Sequence, residues 1–406
     1  MKIGIDCRTI LNPGYGEVAG IGHYTYCLVE ALLRLDPANR YVLYFDREVS
    51  PEAAREFIGA RPLVDLRYLP YHRYKKFLPG LYDQILLPYA ISRDRVEVML
   101  FPTGAVPGAY HGKSIAVAHD LCLFRRPDWF PQSSRNYLLA SREQLVQSYK
   151  KASRVIAVSW ATKNDLVALA KVPEKKIEVI YEGVTPKTYV QLSGESTRDL
   201  RSDLGDEEIR VRYNLPPEYL FFLGTIEPRK NLHGLIRAFF RYAKGHPDRA
   251  GLALAIAGAK GYQSEKIFAE IDAANDELEK ALGRRPIHYL GYVTIEEKWA
   301  LLCYALAFVY PSFCEGFGLS VLEAMSQGTP VIVGNQGALP EVVGDAGVLV
   351  DPDFTEDIFH GLAKLIDSAE LREKFGAAAR ERAQEFSWDK AARETLSLFH
   401  KTLMGE

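Results

Sequence analysis

Short apolar runs alternate with longer segments whose apolar positions recur at helical spacing, almost from one end of this chain to the other. Apolar runs without polar alternation suit strands buried on both faces, and the helical stretches between them supply the crossovers. The pattern implies α/β layers with parallel strands. In the first half the predicted strands are residues 2–5, 41–45, 98–101, 114–118, 154–158 and 177–180. In the second they are 219–223, 252–257, 287–290, 307–310, 331–333 and 347–350. Each set makes one doubly wound sheet. A chain of 406 residues also exceeds one ordinary core. The expected organisation is therefore a first domain over 1–190, a polar, charged linker over 191–214 carrying a short helix, and a second domain over 215–387. Residues 388–403 place Ala392, Leu396, Phe399 and Leu403 on one helical face behind a candidate cap at Ser387.

Charge is divided unevenly between the halves. Residues 1–190 carry 26 basic against 19 acidic side chains, and the rest carry 24 against 33. A basic first half suits an anionic acceptor or a membrane surface, although scattered solvated charges account for it equally well. The five cysteines are dispersed without metal-ligand spacing, so most read as small core residues in a reducing compartment. Met1 leads directly into the first strand, with no signal peptide, and no apolar run reaches the roughly 18 residues needed to span a bilayer. The expectation is a cytoplasmic protein, and no feature points to nucleic acid.

The densest chemistry lies in residues 310–341, YPSFCEGFGLSVLEAMSQGTPVIVGNQGALPE. Glu315 and Glu323 bracket a glycine-rich turn, Gly316–Phe317–Gly318, that opens a helix at Leu319; Gly328 and Pro330 end it. A helix N-terminus after such a turn favours phosphate, and a carboxylate one or two turns inside reaches ribose hydroxyls. The pairing points to a ligand bearing both phosphates and hydroxyls, a nucleotide sugar.

Four other constellations add to this. A glycine cluster at 12–22 (NPGYGEVAGIG) follows the first strand and precedes a helix, but it is not a dinucleotide fingerprint, which argues against a nicotinamide role. TIEPRKN at 225–231 sets Arg229 and Lys230 at the carboxyl end of a strand, where a planar fork and a point charge suit a diphosphate, with Asn231 as an N-cap. His119 ends the strand at 114–118, and Ser159 reads as a helix cap with Lys163 one turn on. The loop GYV at 291–293 follows another strand. Residues 71–95 interleave basic and aromatic side chains, among them Tyr74, Lys75, Lys76 and Phe77. That pattern suits an interfacial surface, or packing onto the first sheet.

EGFGLSVLEAM, with GTPVI, LPEVVGDAGVLVDP and the RKNL segment, resembles the E-x7-E signature of retaining family 4 glycosyltransferases. The resemblance runs along most of the chain, is densest over 220–355 and thins between 50 and 110. It implies the GT-B fold, two Rossmann-like doubly wound domains facing a central cleft, with the terminal helix crossing back onto the first. His119 and Glu315 become the catalytic candidates, His119 contacting the transferred sugar. Donor contacts fall to Gly20 and Gly22, which approach the diphosphate or the acceptor, and to Arg229, Lys230, Val293, Gly316, Phe317, Gly318, Leu319 and Glu323. Lys163 is a further candidate. Ser320 departs from the proline common at this first-turn position and is tolerated there.

The implied reaction moves a hexose from a nucleotide sugar to a saccharide or lipid-linked acceptor with retention, using no metal and no cofactor beyond the donor. GIDCRTI, GIGHYTY and EPRKNL are most similar to bacterial mannosyltransferases of polysaccharide assembly, which implies GDP-mannose, and UDP-sugars stay open. The resemblance also admits peripheral membrane contact through the first domain. A GT-B epimerase has no need of the EGFGLSVLEAM site. A degenerate binding subunit would lack Glu315, Arg229 or Lys230, and all are present.

Overall fold

The computed structural model of the chain describes residues 1–11, 20–46, 49–69, 82–130, 135–185 and 204–405. Most of the glycine cluster (12–19), the basic–aromatic residues 71–81 and the first part of the expected linker (191–203) lie outside the described residues.

Two parallel sheets carry the fold. The first contains β1 (Lys2–Asp6), β2 (Arg40–Asp46), β3 (Val64–Leu69), β4 (Val98–Phe101), β5 (Lys113–Ala118), β6 (Arg154–Ala157) and β7 (Ile177–Val179), in the order β3-β2-β1-β4-β5-β6-β7. The second contains β8 (Glu218–Leu223), β9 (Leu252–Ala257), β10 (Ile287–Gly291), β11 (Ala307–Tyr310), β12 (Val331–Gly334) and β13 (Val348–Val350), in the order β10-β9-β8-β11-β12-β13. Both orders are doubly wound: the chain grows outward from a founding strand, returns, and continues on its other side. Each sheet therefore has a switch point, β1/β4 in the first and β8/β11 in the second, where loops at the carboxyl ends diverge and leave a crevice.

One strand escapes the sequence pattern. β3 lies at the edge of the first sheet in register with β2, Tyr41 opposite Val64 and Leu43 opposite Leu66. All six of its residues are only partly buried, so its apolar run is broken by Asp65 and Arg67. Those charges are used locally. Arg40 donates to Asp65 at 2.9 Å and Arg67 to Asp94 at 2.9 Å, which places charge along an edge otherwise open to strand addition. Other strand ends differ by a residue or so from the expected bounds.

The chain divides into two units, one of Met1–Phe124, Gln132–Gly183 and Ser387–Glu406, the other of Arg125–Pro131 and Val184–Phe386. In the first unit, the terminal helix Trp388–Met404 starts at Ser387, whose hydroxyl accepts from Lys390 N. It is tied to helix Ile21–Leu35 through Arg34, which donates to Asp389 at 2.6 Å. Asp206–Tyr213 forms the short helix foreseen before the second sheet, with three acidic residues in its first turn and Asn214 left-handed at its end.

In the second unit the ends of β8 and β9 approach closely. A Cβ on Gly258 (φ 139°) would lie 1.9 Å from the Gly224 carbonyl oxygen, so a side chain there would push the two strand ends apart.

Candidate active site

The second sheet's switch point assembles a cluster of charged side chains. From β8 the chain enters a single 3-10 turn, Pro228–Lys230, and then helix Leu232–Gly245. Asn231 joins them at φ 57° and caps the helix by accepting from Gly234 N, as its position in RKN implied. The turn brings Arg229 and Lys230 beside the loop that follows β11. Arg229 donates to the Cys314 carbonyl at 2.7 Å and to Glu315 Oε2 at 3.0 Å. Lys230 donates to Glu315 Oε1 at 2.7 Å and to the Tyr310 hydroxyl at 2.6 Å. Ser312 donates to the same Glu315 oxygen at 2.6 Å. Glu227 takes the other side of the Arg229 guanidinium, accepting from Nε at 3.1 Å and Nη2 at 2.9 Å. A backbone bond from Phe313 N to the Arg229 carbonyl, 3.0 Å, laces the two loops together.

Lys230, Tyr310 and Ser312 are buried, Arg229, Glu227 and Glu315 partly so, and the groups change each other's protonation. Burial alone would push the Glu315 carboxyl up. The Arg229 and Lys230 charges, with hydrogen bonds from Lys230 and Ser312, outweigh it and lower the group from the usual 4.5 to about 2. Burial draws the Lys230 ammonium below its ordinary range, against the pull of Glu315, and pushes the Tyr310 phenol well up. Because the folded value for Glu315 lies below the unfolded one, its stabilising contribution is complete above about pH 5 and is lost as pH falls towards about 2. Acid unfolding followed by circular dichroism is expected to show this loss in the native protein and a flatter profile in Glu315→Gln; equal profiles would contradict it.

The glycine turn reads as expected. Gly318 (φ 104°) is the N-cap of helix Leu319–Gln327, and a Cβ there would lie 2.6 Å from Leu339 Cδ2. Gly316 and Phe317 precede it, Phe317 buried edge-on against Phe386, and Leu319 opens the first turn. Glu323 lies further along this helix in a second cluster. It is buried, and its Oε1 accepts from Thr185 Oγ1 at 2.5 Å and from Lys298 Nζ at 2.7 Å. Val293 is buried in the loop after β10, between left-handed Gly291 (φ 76°) and Thr294, which caps helix Ile295–Tyr304 in a reciprocal box with Glu297.

In the first unit His119 leaves the carboxyl end of β5. Its Nε2–H donates to the Pro102 carbonyl at 2.8 Å, its Nδ1 lies 3.6 Å from Glu182 Oε1, and the Tyr24 ring meets it edge-on at 4.7 Å. Gly20 (φ 64°) is the N-cap of helix Ile21–Leu35, with Gly22 buried in its first turn. Ser159 caps helix Trp160–Ala168 by accepting from Thr162 N. Lys163 pairs with Glu174 at 3.2 Å and lies over the Trp160 ring. Glu227, Tyr310, Ser312, Lys298, Thr185 and Glu182 are participants that sequence reasoning did not single out. The first three stand inside or beside quoted motifs, whereas Lys298, Thr185 and Glu182 carry no local signal.

Comparison with known proteins follows the same lines. Residues 206–382 match the family described as Glycosyl transferases group 1, and residues 18–188 match Glycosyltransferase Family 4. Over 288 residues the chain is 31% identical to the O-antigen chain mannosyltransferase B of Escherichia coli, an alignment covering 71% of this chain and 70% of that one. The chain belongs to the family 4 glycosyltransferases. This glycosyltransferase is also 24% identical over 367 residues to the serotype-specific mannosyltransferase WbdA of Escherichia coli, covering 90% of its own length and 40% of that protein. Its fold is GT-B. Sucrose-phosphate synthase from Thermosynechococcus elongatus superposes with a TM-score of 0.72 at 18% identity, covering 100% of both chains. Among the described residues, no helix is long and apolar enough to cross a membrane.

Proposed function

We propose that this glycosyltransferase is a retaining hexosyltransferase that moves mannose from GDP-mannose onto a saccharide or lipid-linked saccharide acceptor in polysaccharide assembly. The observation that carries the reading is the largely buried Arg229–Lys230–Glu315 cluster at the β8/β11 switch point. Two cations and a helix N-terminus face charge that develops on a leaving diphosphate, and preorganised groups of that kind lower a barrier without reorganising. Similarity to the two Escherichia coli mannosyltransferases supports mannose as the sugar.

In the proposed step the bond between C1 and the phosphate oxygen breaks, with its electron pair left on the diphosphate beside Arg229 and Lys230. The acceptor oxygen bonds to C1 on the same face, and its proton passes to the departing phosphate oxygen. Glu315 holds a hydroxyl of the donor sugar, Glu323 the ribose, and His119 contacts the transferred sugar. Gly20 and Gly22 lie near the diphosphate or the acceptor. The Gly316–Leu319 backbone lies along the diphosphate and Val293 beside the base. No metal takes part.

The test has two parts. Thermal unfolding is measured with GDP, UDP, ADP and dTDP; a ligand at about 100 times its dissociation constant adds about 2.7 kcal/mol. GDP is expected to give the largest shift, and a larger shift with UDP would overturn the donor assignment. Transfer from GDP-mannose to a lipid-linked saccharide is then followed with and without EDTA. Activity is expected to survive chelation. Loss with EDTA and recovery with magnesium would contradict charge stabilisation by the two cations alone.

A further inference from the structure

We propose that Lys298 is the positioning residue that makes Glu323 a reader of ribose hydroxyls; the inference rests on the assignment of Glu323 to the ribose made above. Lys298 stands in the first turn of helix Ile295–Tyr304, just past the Gly291–Thr294 loop. Its acidic neighbour Glu297 is engaged elsewhere, accepting from Thr294 N at 2.7 Å and from Arg212 Nη1 at 2.8 Å. Lys298 reaches instead across to helix Leu319–Gln327, and its ammonium donates to Glu323 Oε1 at 2.7 Å. Thr185 Oγ1 donates to the same oxygen at 2.5 Å. Side-chain exposure is only 14% for Lys298 and 6% for Glu323, so the pair is shielded from solvent competition.

Two consequences follow from that geometry. A carboxylate with so little exposure is favoured by a charged partner, and Lys298 supplies one. An ionised carboxylate only accepts hydrogen bonds, so it favours a ligand that presents hydroxyl donors over one that has lost them. Pinning the group through Oε1 also fixes the plane of the carboxylate. Lys298 therefore sets the sugar part of nucleotide recognition from a helix that belongs to the base-side loop.

The test compares ligands that differ only at the ribose: GDP with 2′,3′-dideoxy-GDP, and UDP with its dideoxy counterpart, by calorimetry. The native protein is expected to prefer the ribonucleotide by about tenfold, the scale of a hydrogen bond to a charged group. In Lys298→Met the preference is expected to fall below about threefold, and in Lys298→Arg, which keeps charge and donors, to persist. Lys298→Gln, a milder variant that retains a donor without charge, serves if the methionine variant does not fold, with the same fall expected. A merely structural role would weaken both ligands equally and leave their ratio intact; that outcome overturns the proposal. Glu323→Gln separates the two layers. If it leaves the ratio unchanged, Glu323 does not read the ribose and the underlying assignment fails. If it abolishes the ratio while Lys298→Met and Lys298→Gln preserve it, only the positioning role fails. Binding of neither pair would overturn the donor reading itself.

Discussion

Glu315→Gln is expected to lower the rate of sugar transfer by two to three orders of magnitude, about the scale of removing one preorganised charged contact to a transition state. The carboxylate accepts from Arg229, Lys230 and Ser312 at once. A glutamine of the same shape keeps one acceptor oxygen and turns an amide N–H2 towards groups that are themselves donors. The cations lose their fixed placement at the step where charge moves onto the diphosphate. Nucleoside diphosphate affinity is expected to hold or rise, because Arg229 and Lys230 lose an internal competitor for their hydrogen bonds. Such a split marks an interaction realised in the transition state rather than on binding. Single-turnover transfer rates and GDP calorimetry on the same preparation check it. Lost binding with intact turnover would reverse the roles given to the two glutamates.

Lys230→Met carries the second large effect, and it falls on stability as well as binding. Removing one partner of a buried ion pair costs about 3–5 kcal/mol, chiefly because the other charge is stranded. Glu315 would retain Arg229 and Ser312 but lose the ammonium at Oε1. Nucleoside diphosphate binding is expected to weaken at least about tenfold in the same variant. Combining it with Glu315→Gln removes the stranded carboxylate, so urea unfolding of the double variant is expected to recover part of the lost stability while binding stays weak. Strictly additive stabilities would show that the two side chains do not interact.

The architecture was legible because buried parallel strands have an unambiguous composition. LALAIA at 252–257 and AFVY at 307–310 are apolar throughout, and both are strands over those residues. VDLRYL was not legible: an edge strand is half exposed, and its alternating charges break the apolar run that marks a buried strand. The same division holds for the site. Arg229, Lys230 and Glu315 sit in loops whose glycines, prolines and caps announce them. Thr185 stands 138 positions from Glu323 in sequence, and Lys298 25 positions from it. Such partners are chosen by the packing of helices on a sheet, so no local spacing betrays them. The terminal helix falls between these cases. Its apolar face was visible, whereas the Arg34–Asp389 contact spans 355 positions.

Among the described residues of the second unit, the charged side chains bonded to one another at the β8/β11 switch point, Glu227, Arg229, Lys230 and Glu315, sum to zero. An electroneutral cluster exerts little long-range pull on anions in general. To bind at Arg229 and Lys230 as proposed, bare pyrophosphate or inorganic phosphate would have to displace Glu315 from the cations, with no sugar hydroxyl to offer the displaced carboxylate. In the proposed complex a sugar diphosphate brings both: oxygens for Arg229 and Lys230, and a hydroxyl donor for Glu315. On the donor assignment proposed above, local neutrality is expected to work as a filter: nucleotide-sugar donors bind, and simple polyanions are held weakly, which calorimetry with pyrophosphate and inorganic phosphate checks.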